Sequence, residues 1–202
     1  FYVNWITGNK LFTTLLLKKN GIKTPRTFLC FDMDSALKAL DILGYPAVIK
    51  PTIGSWGRLV ALIKDRESAQ AILEDRLHMF PLYQVFYLQE YVNRPPRDIR
   101  FFVIGDKLVA AIYRVSKGDW RTNTALGGKA ENCPLNKELE DLAEKVVKLL
   151  GEGFYGIDCM ESKEGLLIHE INNTTEFRNT VPVTGVNIPA LLIDYLKRIA
   201  RC

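Results

Sequence analysis

The sequence is poor in the residues that build zinc sites and disulfide frameworks. It has two histidines and four cysteines in 202 residues. Cys30, Cys133, Cys159 and Cys202 lie far apart, with no Cys-x-x-Cys pair among them. This spacing argues against both a zinc-binding fold and a disulfide-stapled one. Because free cysteines persist in reducing compartments, we expect a cytoplasmic protein.

Long apolar runs are also missing. The longest, at 101–104 and 108–112, are far shorter than the roughly 20 apolar residues that cross a bilayer. A membrane span is therefore excluded. The chain starts at Phe1 without an initiator methionine, and no basic segment followed by an apolar one marks a signal peptide. We expect a fragment of a longer protein.

No strong charge excess or low-complexity tract is present. Net charge is +4, from 27 Lys and Arg against 23 Asp and Glu, and 48% of the residues are hydrophobic. The basic residues are scattered along the chain, so nucleic-acid binding has little support. The mild positive balance suits a local anionic ligand or an acidic partner. The composition is that of a globular domain large enough to bury a core.

Hydrophobic periodicity predicts helices and strands in mixed order. The only clear strand pairings are antiparallel hairpins, so the predicted fold class is α+β. No Ser/His/Asp or Cys/His arrangement indicates nucleophilic hydrolysis. Predicted helices cover 9–20, 34–43, 67–76, the stretch from 136 to 151 and a last segment from 188, while strands include 27–30 and the hairpins around 105–106 and 163–165.

The hairpin "GIDCMESKEGLLIHEIN" carries the strongest chemical signal. A three-residue loop at 163–165 places Asp158 directly across from Glu170, with Asn172 on the same face and His169 pointing away. Two carboxylates and an amide in apolar surroundings suit Mg²⁺. The alternative is a hairpin whose acids face solvent, and a register change of one residue would also separate them.

Lys50 closes the apolar strand of "AVIKP" just before "TIGSWGR". Gly54 and Gly57 would let backbone N–H groups approach phosphates. This is not a Walker A loop, because no Gly-Lys-Ser/Thr follows the strand. A surface strand followed by a plain turn is an equally good interpretation.

Arg100, Arg114 and Arg121 form a third group of interest. If Asp98 faces Arg114 in the hairpin, the first two arginines share a face and suit a phosphate clamp. A strict two-residue loop at 105–106 would separate them instead. The alternative is that all three arginines are solvated on the surface and form no site.

In chain order, the sequence contains Lys10, Lys50 with "GSWGR", "QEYV", "DIR", "DWRTNTALGG", and Asp158 with Glu170 and Asn172. This succession resembles the ATP-grasp ligases and, within them, the RimK-type branch. The segments "IGSWGR", "FYLQEYV", "GGKAENCPL" and "NNTTEFRNTVPVTGVNIP" are similar to the members that act on the carrier protein LysW.

The resemblance implies an ATP-grasp fold, with two α+β subdomains that enclose ATP. It implies that 1–8 is the end of an N-terminal domain or a linker, and that this domain is largely missing from the chain. Residues 9–84 would form the small subdomain with the lysines and the glycine loop. Residues 85–202 would form the C-terminal subdomain with the hinge, metal site and substrate loop.

The resemblance also implies roles for individual residues. The catalytic arginines would be Arg100, Arg114 and Arg121, and the Mg²⁺ ligands Asp158, Glu170 and Asn172, holding two ions. ATP would be bound by Lys10, Lys50, Gly54, Ser55, Trp56, Gly57, Glu90, Tyr91, Val92, Asp98, Arg121, Thr122 and Asn123. The amino-acid substrate would be bound by Asn173, Thr174, Glu176, Arg178 and Asn179.

The implied reaction is amide formation through an acyl phosphate. The side chain of the C-terminal glutamate of the acidic carrier LysW would be activated by ATP and joined to the amine of alpha-aminoadipate, in lysine biosynthesis. A dimer or tetramer is expected. The alternatives are glutamate as the amino acid, as in arginine biosynthesis, a bifunctional enzyme, RimK-like glutamate addition to another protein, or a nucleotide-binding module without catalysis.

Overall fold

A computed structural model describes residues 2–116, 118–122 and 127–200. Its helices are α1 (Tyr2–Thr7), α2 (Lys10–Lys19), α3 (Met33–Leu43), α4 (Arg66–Leu77), α5 (Lys137–Leu150), α6 (Val181–Thr184) and α7 (Ile188–Ile199), with a 3₁₀ turn at Pro81–Gln84. Its strands are β1 (Thr27–Cys30), β2 (Ala47–Lys50), β3 (Ala61–Ile63), β4 (Phe86–Glu90), β5 (Arg97–Gly105), β6 (Lys107–Val115), β7 (Lys129–Asn132), β8 (Gly153–Ser162) and β9 (Gly165–Asn172).

The first sheet has four antiparallel strands in the order β1-β4-β2-β3. Helices α3 and α4 begin where Asp32 and Asp65 accept hydrogen bonds from backbone N–H groups, which satisfies donors that have no partner within the helix. Their apolar faces pack on the sheet, with Leu40, Leu73 and Phe86 fully buried.

The second sheet has five strands in the order β7-β6-β5-β8-β9. One face packs against α2 and α5, where Leu17 and Leu139 join Phe101 and Ile157 in the largest core. The other face is covered at one end by α7 and the segment 177–186 around Phe102 and Ile188. The rest of that face borders the cleft towards the first sheet.

Two β-bulges set the registers of the hairpins in the second sheet. In β5–β6 the tight turn pairs Ile104 with Lys107, and a shift after Phe102 then pairs Asp98 with Arg114. The tight loop and the facing Asp98 and Arg114, which the sequence presents as alternatives, therefore coexist. A bulge inserts one unpaired residue and so changes the register partway along a ladder.

The β8–β9 hairpin corrects the predicted three-residue loop. Ser162 pairs with Gly165, so the loop has two residues, yet Asp158 still lies across from Glu170 because the register shifts between Asp158 and Cys159. The bulge also places His169 on the same face as the carboxylates, where it borders the cleft. The prediction that His169 points away is wrong.

The structure also describes the N-terminal stretch and the strands around the predicted domain boundary. Residues 2–7 form a helix. Strand β4, which the boundary at 84 and 85 assigns to the C-terminal subdomain, lies between β1 and β2 in the first sheet. Helix α2 packs on the core of the second sheet. The division of the chain into family subdomains stays a prediction.

The predicted α+β class is confirmed. Within the described residues, no helix is both long and apolar enough to cross a membrane.

Candidate active site

A cleft with a volume of about 450 Å³ lies between the two sheets. It is lined from the first sheet by Lys50 and the loop at 54–58, and from the second by side chains of β5, β6, β8 and β9. Among the described residues, eight Lys and Arg side chains border it against four Asp and Glu. The balance makes the cleft attractive to a polyanion, because a positive potential between protein walls concentrates anions.

A buried network of two arginines and two aspartates forms the floor. Arg114 donates through Nε and Nη2 to the two carboxylate oxygens of Asp98 at 2.7 and 2.6 Å. Its Nη2 also lies 3.1 Å from Asp158 Oδ2. Arg100 donates to both oxygens of Asp158 at 2.6 and 2.7 Å. Thr122 completes the network by donating to Asp98 Oδ2 at 2.5 Å.

The network favours the charged forms of Asp158 and Arg114. Burial by itself raises the pKa of Asp158, but Arg100 and Arg114 outweigh it and hold that pKa well below its ordinary value. Burial lowers the pKa of Arg114, and Asp158 and Asp98 more than reverse this shift. The paired charges compensate each other inside the protein, where a single charge would be costly.

Lys10 joins the two sides of the cleft. Its ammonium donates to Gly54 O at 2.7 Å and lies 3.3 Å from Glu170 Oε1. Its backbone N–H donates to Thr52 O at 2.8 Å. Gly54 and Gly57 have positive φ, as does Trp56 at 60°, so the loop turns sharply in conformations that glycine adopts most easily. The start of α2 thus holds the glycine loop next to the carboxylate of β9.

Lys50 is held by neutral polar groups. Its ammonium donates to Gln89 Oε1 at 2.6 Å, and Gln89 Nε2 donates to Tyr87 Oη and to Thr27 Oγ1, each at 3.2 Å. Tyr87 Oη also lies 2.8 Å from Thr14 Oγ1. Burial lowers the pKa of Lys50 to about 8, with Glu170 acting in the opposite direction.

Asp158, Glu170 and Asn172 fit a magnesium ion by their chemistry. All three border the cleft from one face of the β8–β9 hairpin, and each offers an oxygen. Asn172 Nδ2 donates to Gly156 O at 3.5 Å, which leaves the amide oxygen for a ligand. Magnesium prefers such hard oxygen donors. Nowhere in the described part of the chain do three or more His, Cys, Asp or Glu cluster as a metal site.

Most of the remaining predicted residues border the same cleft. Its lining includes Ser55, Trp56, Gly57, Arg121, Thr122, Thr174, Glu176, Arg178 and Asn179. Arg121 is held by Asp119, to which it donates from Nη2 at 2.8 Å. Arg178 pairs with Glu176 at 3.4 Å, and both side chains are largely exposed.

Four predicted side chains do not border the cleft. Glu90 accepts hydrogen bonds from Arg26 N and Nε, each at 2.8 Å. Tyr91 is exposed and Val92 follows it beyond the strand, so a hinge contact with adenine would depend on their backbone. Asn173 donates to Asn4 O at 3.2 Å, which ties it to α1. Asn123 lies outside the described residues.

The sequence interpretation missed several residues that line or support the cleft. Gln89 stands out only as a polar residue in an apolar strand, and its contact with Lys50 depends on the pairing of β2 with β4. Arg94 borders the cleft and donates from Nη2 to Trp120 O at 3.4 Å. His169 lines the cleft because of the bulge in the β8–β9 hairpin, and no local sequence pattern indicates that bulge. Burial and nearby Lys50 hold its pKa well below the ordinary value.

The comparison with known families assigns this fold to a class of ligases. The sequence pattern of the RimK-like ATP-grasp domain matches residues 7–196. The chain belongs to the RimK-like ATP-grasp family, whose members are ATP-dependent carboxylate–amine ligases that use ATP and Mg²⁺. The predicted ATP-grasp fold, family and ligase class are confirmed.

Two known ligases and one solved structure show which proteins the chain is similar to. The chain is 45% identical over 188 residues to the alpha-aminoadipate–LysW ligase LysX of Saccharolobus solfataricus, covering 92% of this chain and 68% of that protein. It is 34% identical over 195 residues to the glutamate–LysW ligase ArgX of Sulfurisphaera tokodaii, covering 95% and 69%. The crystal structure of a RimK domain protein from Sphaerobacter thermophilus superposes with a TM-score of 0.81 at 23% identity, covering 96% and 69%.

Proposed function

We propose that this protein joins the amino group of alpha-aminoadipate to the side-chain carboxylate of the C-terminal glutamate of LysW. The observation that carries the proposal is the cationic cleft with its facing carboxylates, in a chain 45% identical to an alpha-aminoadipate–LysW ligase. ATP is the co-substrate, and LysW, which we expect to be acidic, meets a positively charged opening.

The residues of the cleft divide the work between binding and charge stabilisation. Lys10 and Lys50 would hold the ATP phosphates while the glycine loop covers them. Arg100, Arg114 and Arg121 would neutralise charge as the carboxylate attacks the γ-phosphate, which forms an acyl phosphate and releases ADP. The amine then displaces phosphate from the acyl group. Positioning and electrostatics suffice, and no covalent enzyme intermediate is needed.

Two magnesium ions would be held by Asp158, Glu170 and Asn172. When bound, the ions would neutralise phosphate oxygens. Both oxygens of Asp158 already accept from Arg100, so metal and guanidinium would share this carboxylate.

The central experiment is intact-mass measurement of LysW after incubation with full-length protein and Mg-ATP. Alpha-aminoadipate and glutamate are offered in parallel. A mass gain with alpha-aminoadipate alone supports the proposal, and a gain with glutamate moves the function to the glutamate–LysW reaction. No gain despite ATP binding would refute both. Identity to ArgX is 34% against 45% to LysX, which favours alpha-aminoadipate.

The metal assignment is tested by Asp158→Asn combined with Glu170→Gln. We expect ligation to fall by roughly a thousandfold, because charge stabilisation at the phosphates is lost. Glu161→Gln is the matched control, since Glu161 follows on the same strand but accepts from Arg97 at 2.7 and 2.8 Å. Full activity in the double variant would overturn the assignment.

Two further expectations accompany the proposal. Assembly as a dimer or tetramer is tested by light scattering of the full-length protein. A cytoplasmic location stays a prediction.

A further inference from the structure

Tyr87 is a buried phenol that has no part in the proposed chemistry. Its side chain is fully buried in β4 and does not border the cleft. Phe86 and Leu88, its neighbours along the strand, join the core beneath α3 and α4, so Tyr87 lies on the opposite face of the sheet. Burial raises the pKa of its hydroxyl above the ordinary value. The group therefore stays protonated, and its hydrogen-bond partners indicate what it does, because an unpaired hydroxyl would be costly here.

On one side, the hydroxyl belongs to the hydrogen bonds that hold Lys50, which pairs directly with Tyr87 across β2 and β4. An ammonium group only donates hydrogen bonds, so the amide oxygen of Gln89 must face Lys50, at 2.6 Å. The amide nitrogen is thereby turned to Tyr87 Oη and Thr27 Oγ1, each at 3.2 Å. Tyr87 and Thr27 thus fix the direction of the amide, and with it the position of the acceptor for Lys50.

On its other side, the same hydroxyl contacts α2. Tyr87 Oη lies 2.8 Å from Thr14 Oγ1, which is also buried. Thr14 follows Lys10 by four residues in this helix, and residues at that spacing lie on one face. Lys10 donates to Gly54 O at 2.7 Å and lies 3.3 Å from Glu170 Oε1. The contact between Thr14 and Tyr87 therefore ties the helix that carries Lys10 to the strand opposite Lys50.

Thr14, Tyr87 and Gln89 together form an unbroken chain of neutral hydrogen-bonding groups between the two lysines. The two ammonium groups repel each other, since the charge of Lys10, after burial, also lowers the pKa of Lys50. Cations that are to bind one polyanion must be kept close before it arrives, in spite of this repulsion. A neutral chain can hold their spacing without neutralising either charge.

We propose that Tyr87 is a positioning residue that fixes the spacing between the ammonium groups of Lys10 and Lys50 for the phosphates of ATP. The inference rests on the proposed function, in which both lysines bind these phosphates. A preset spacing favours binding because less side-chain freedom is lost when the nucleotide enters. Tyr87 acts through the two lysines and does not border the cleft itself.

The first test measures the Kd of Mg-ATP by calorimetry for full-length wild type and Tyr87→Phe. Phenylalanine keeps the ring and removes only the hydroxyl. We expect Kd to rise by about fivefold to tenfold, because the chain of hydrogen bonds is broken.

Tyr155→Phe is the matched control. Tyr155 is also buried, its hydroxyl donates to Gly151 O at 3.2 Å, and it does not border the cleft. Its Kd for Mg-ATP should stay within about twofold of wild type, because the lost hydrogen bond does not involve the lysines. An unchanged Kd in Tyr87→Phe, or an equal rise in both variants, would overturn the inference.

A double-mutant cycle distinguishes positioning from a general structural effect. Spacing has no meaning once one lysine is gone, so adding Tyr87→Phe to Lys50→Met should leave the Kd of Mg-ATP within about twofold of Lys50→Met alone. A merely structural role would weaken binding by the same factor in both backgrounds. That additive result would overturn the inference.

Thr14 allows the same link to be broken from its other end, and it serves as the test if Tyr87→Phe does not fold. Thr14→Val keeps the shape of the side chain and removes the hydroxyl, whereas Thr14→Ser keeps the hydroxyl. We expect valine to raise Kd for Mg-ATP as much as Tyr87→Phe does, and serine to keep it within about threefold of wild type. Equal affinities of the two Thr14 variants would contradict the proposed link.

Nucleotide binding separates this inference from the proposed function, because it needs neither LysW nor an amino acid. If wild type binds Mg-ATP but leaves LysW unmodified, the proposed function fails, and the role of Tyr87 is still decided by the Kd values. If Lys50→Met binds Mg-ATP as tightly as wild type, Lys50 holds no phosphate and the inference fails, whatever the result with LysW.

Discussion

The two sheets carry buried charge in opposite ways. The second sheet buries Asp98, Arg114 and Asp158 as mutually bonded partners. The first sheet buries one ammonium, Lys50, whose partner Gln89 is neutral. Consequently the pKa of Arg114 rises above its ordinary value and that of Lys50 falls to about 8. A buried cation is stabilised by an opposite charge built beside it, and without one, as at Lys50, binding of an anion is favoured.

The largest effect is expected from breaking the network of the second sheet. Arg114→Leu leaves Asp98 and Asp158 buried with less compensation, so we expect about 3 to 5 kcal/mol of destabilisation. Urea unfolding measures it. A loss below about 1 kcal/mol would show that the aspartates are solvated after the substitution, and the contrast between the sheets would disappear.

The matching substitution in the first sheet, Lys50→Met, should stabilise the protein. Lys50→Met removes a charge that burial disfavours, and we expect about 1 to 2 kcal/mol of added stability, reduced by the unpaired oxygen left on Gln89. ATP binding should weaken in the same variant because a phosphate partner is gone. Destabilisation in urea would contradict the account of Lys50 as an uncompensated charge.

The free energy of unfolding should also depend on pH through the protonation of Lys50. The folded pKa of Lys50 is about 8, below its ordinary 10.5, so between these values the unfolded chain binds more protons at this site and stability rises with pH. Between pH 7 and 9 the stability advantage of Lys50→Met over wild type should shrink by about 1 kcal/mol. ATP affinity of wild type should fall by up to about tenfold as Lys50 loses its proton. If the difference in unfolding free energy between wild type and Lys50→Met stays constant from pH 7 to 9, Lys50 does not titrate in this range.

The smallest effect is expected at an exposed ion pair. Arg66 Nη1 lies 2.6 Å from Asp41 Oδ2, but both side chains are about half exposed. Arg66→Gln should leave the free energy of unfolding unchanged within the error of urea unfolding, because water screens the pair. If Arg66→Gln lowers the free energy of unfolding about as much as Arg114→Leu does, then ion pairing itself, and not burial, distinguishes the two sheets.

The β8–β9 hairpin shows how a correct pairing can be predicted from an incorrect loop. The sequence suggests three loop residues, and the chain uses two. The bulge after Asp158 adds the missing offset and brings Asp158 back opposite Glu170. The same device in β5–β6 reconciles the tight turn with Asp98 facing Arg114. Bulges depend on the partner strands and on packing, so local patterns do not indicate where they occur.

The sequence by itself determines most helices and strands, because these follow from side-chain periodicity. It also determines the helix caps at Asp32 and Asn136, which are hydrogen bonds between near neighbours. Which residues meet is decided by the tertiary structure. Arg and Lys residues scattered from Lys10 to Arg178 converge on one cleft, while Glu90 turns outward to Arg26. This convergence depends on strand order and register, which join residues far apart in the sequence.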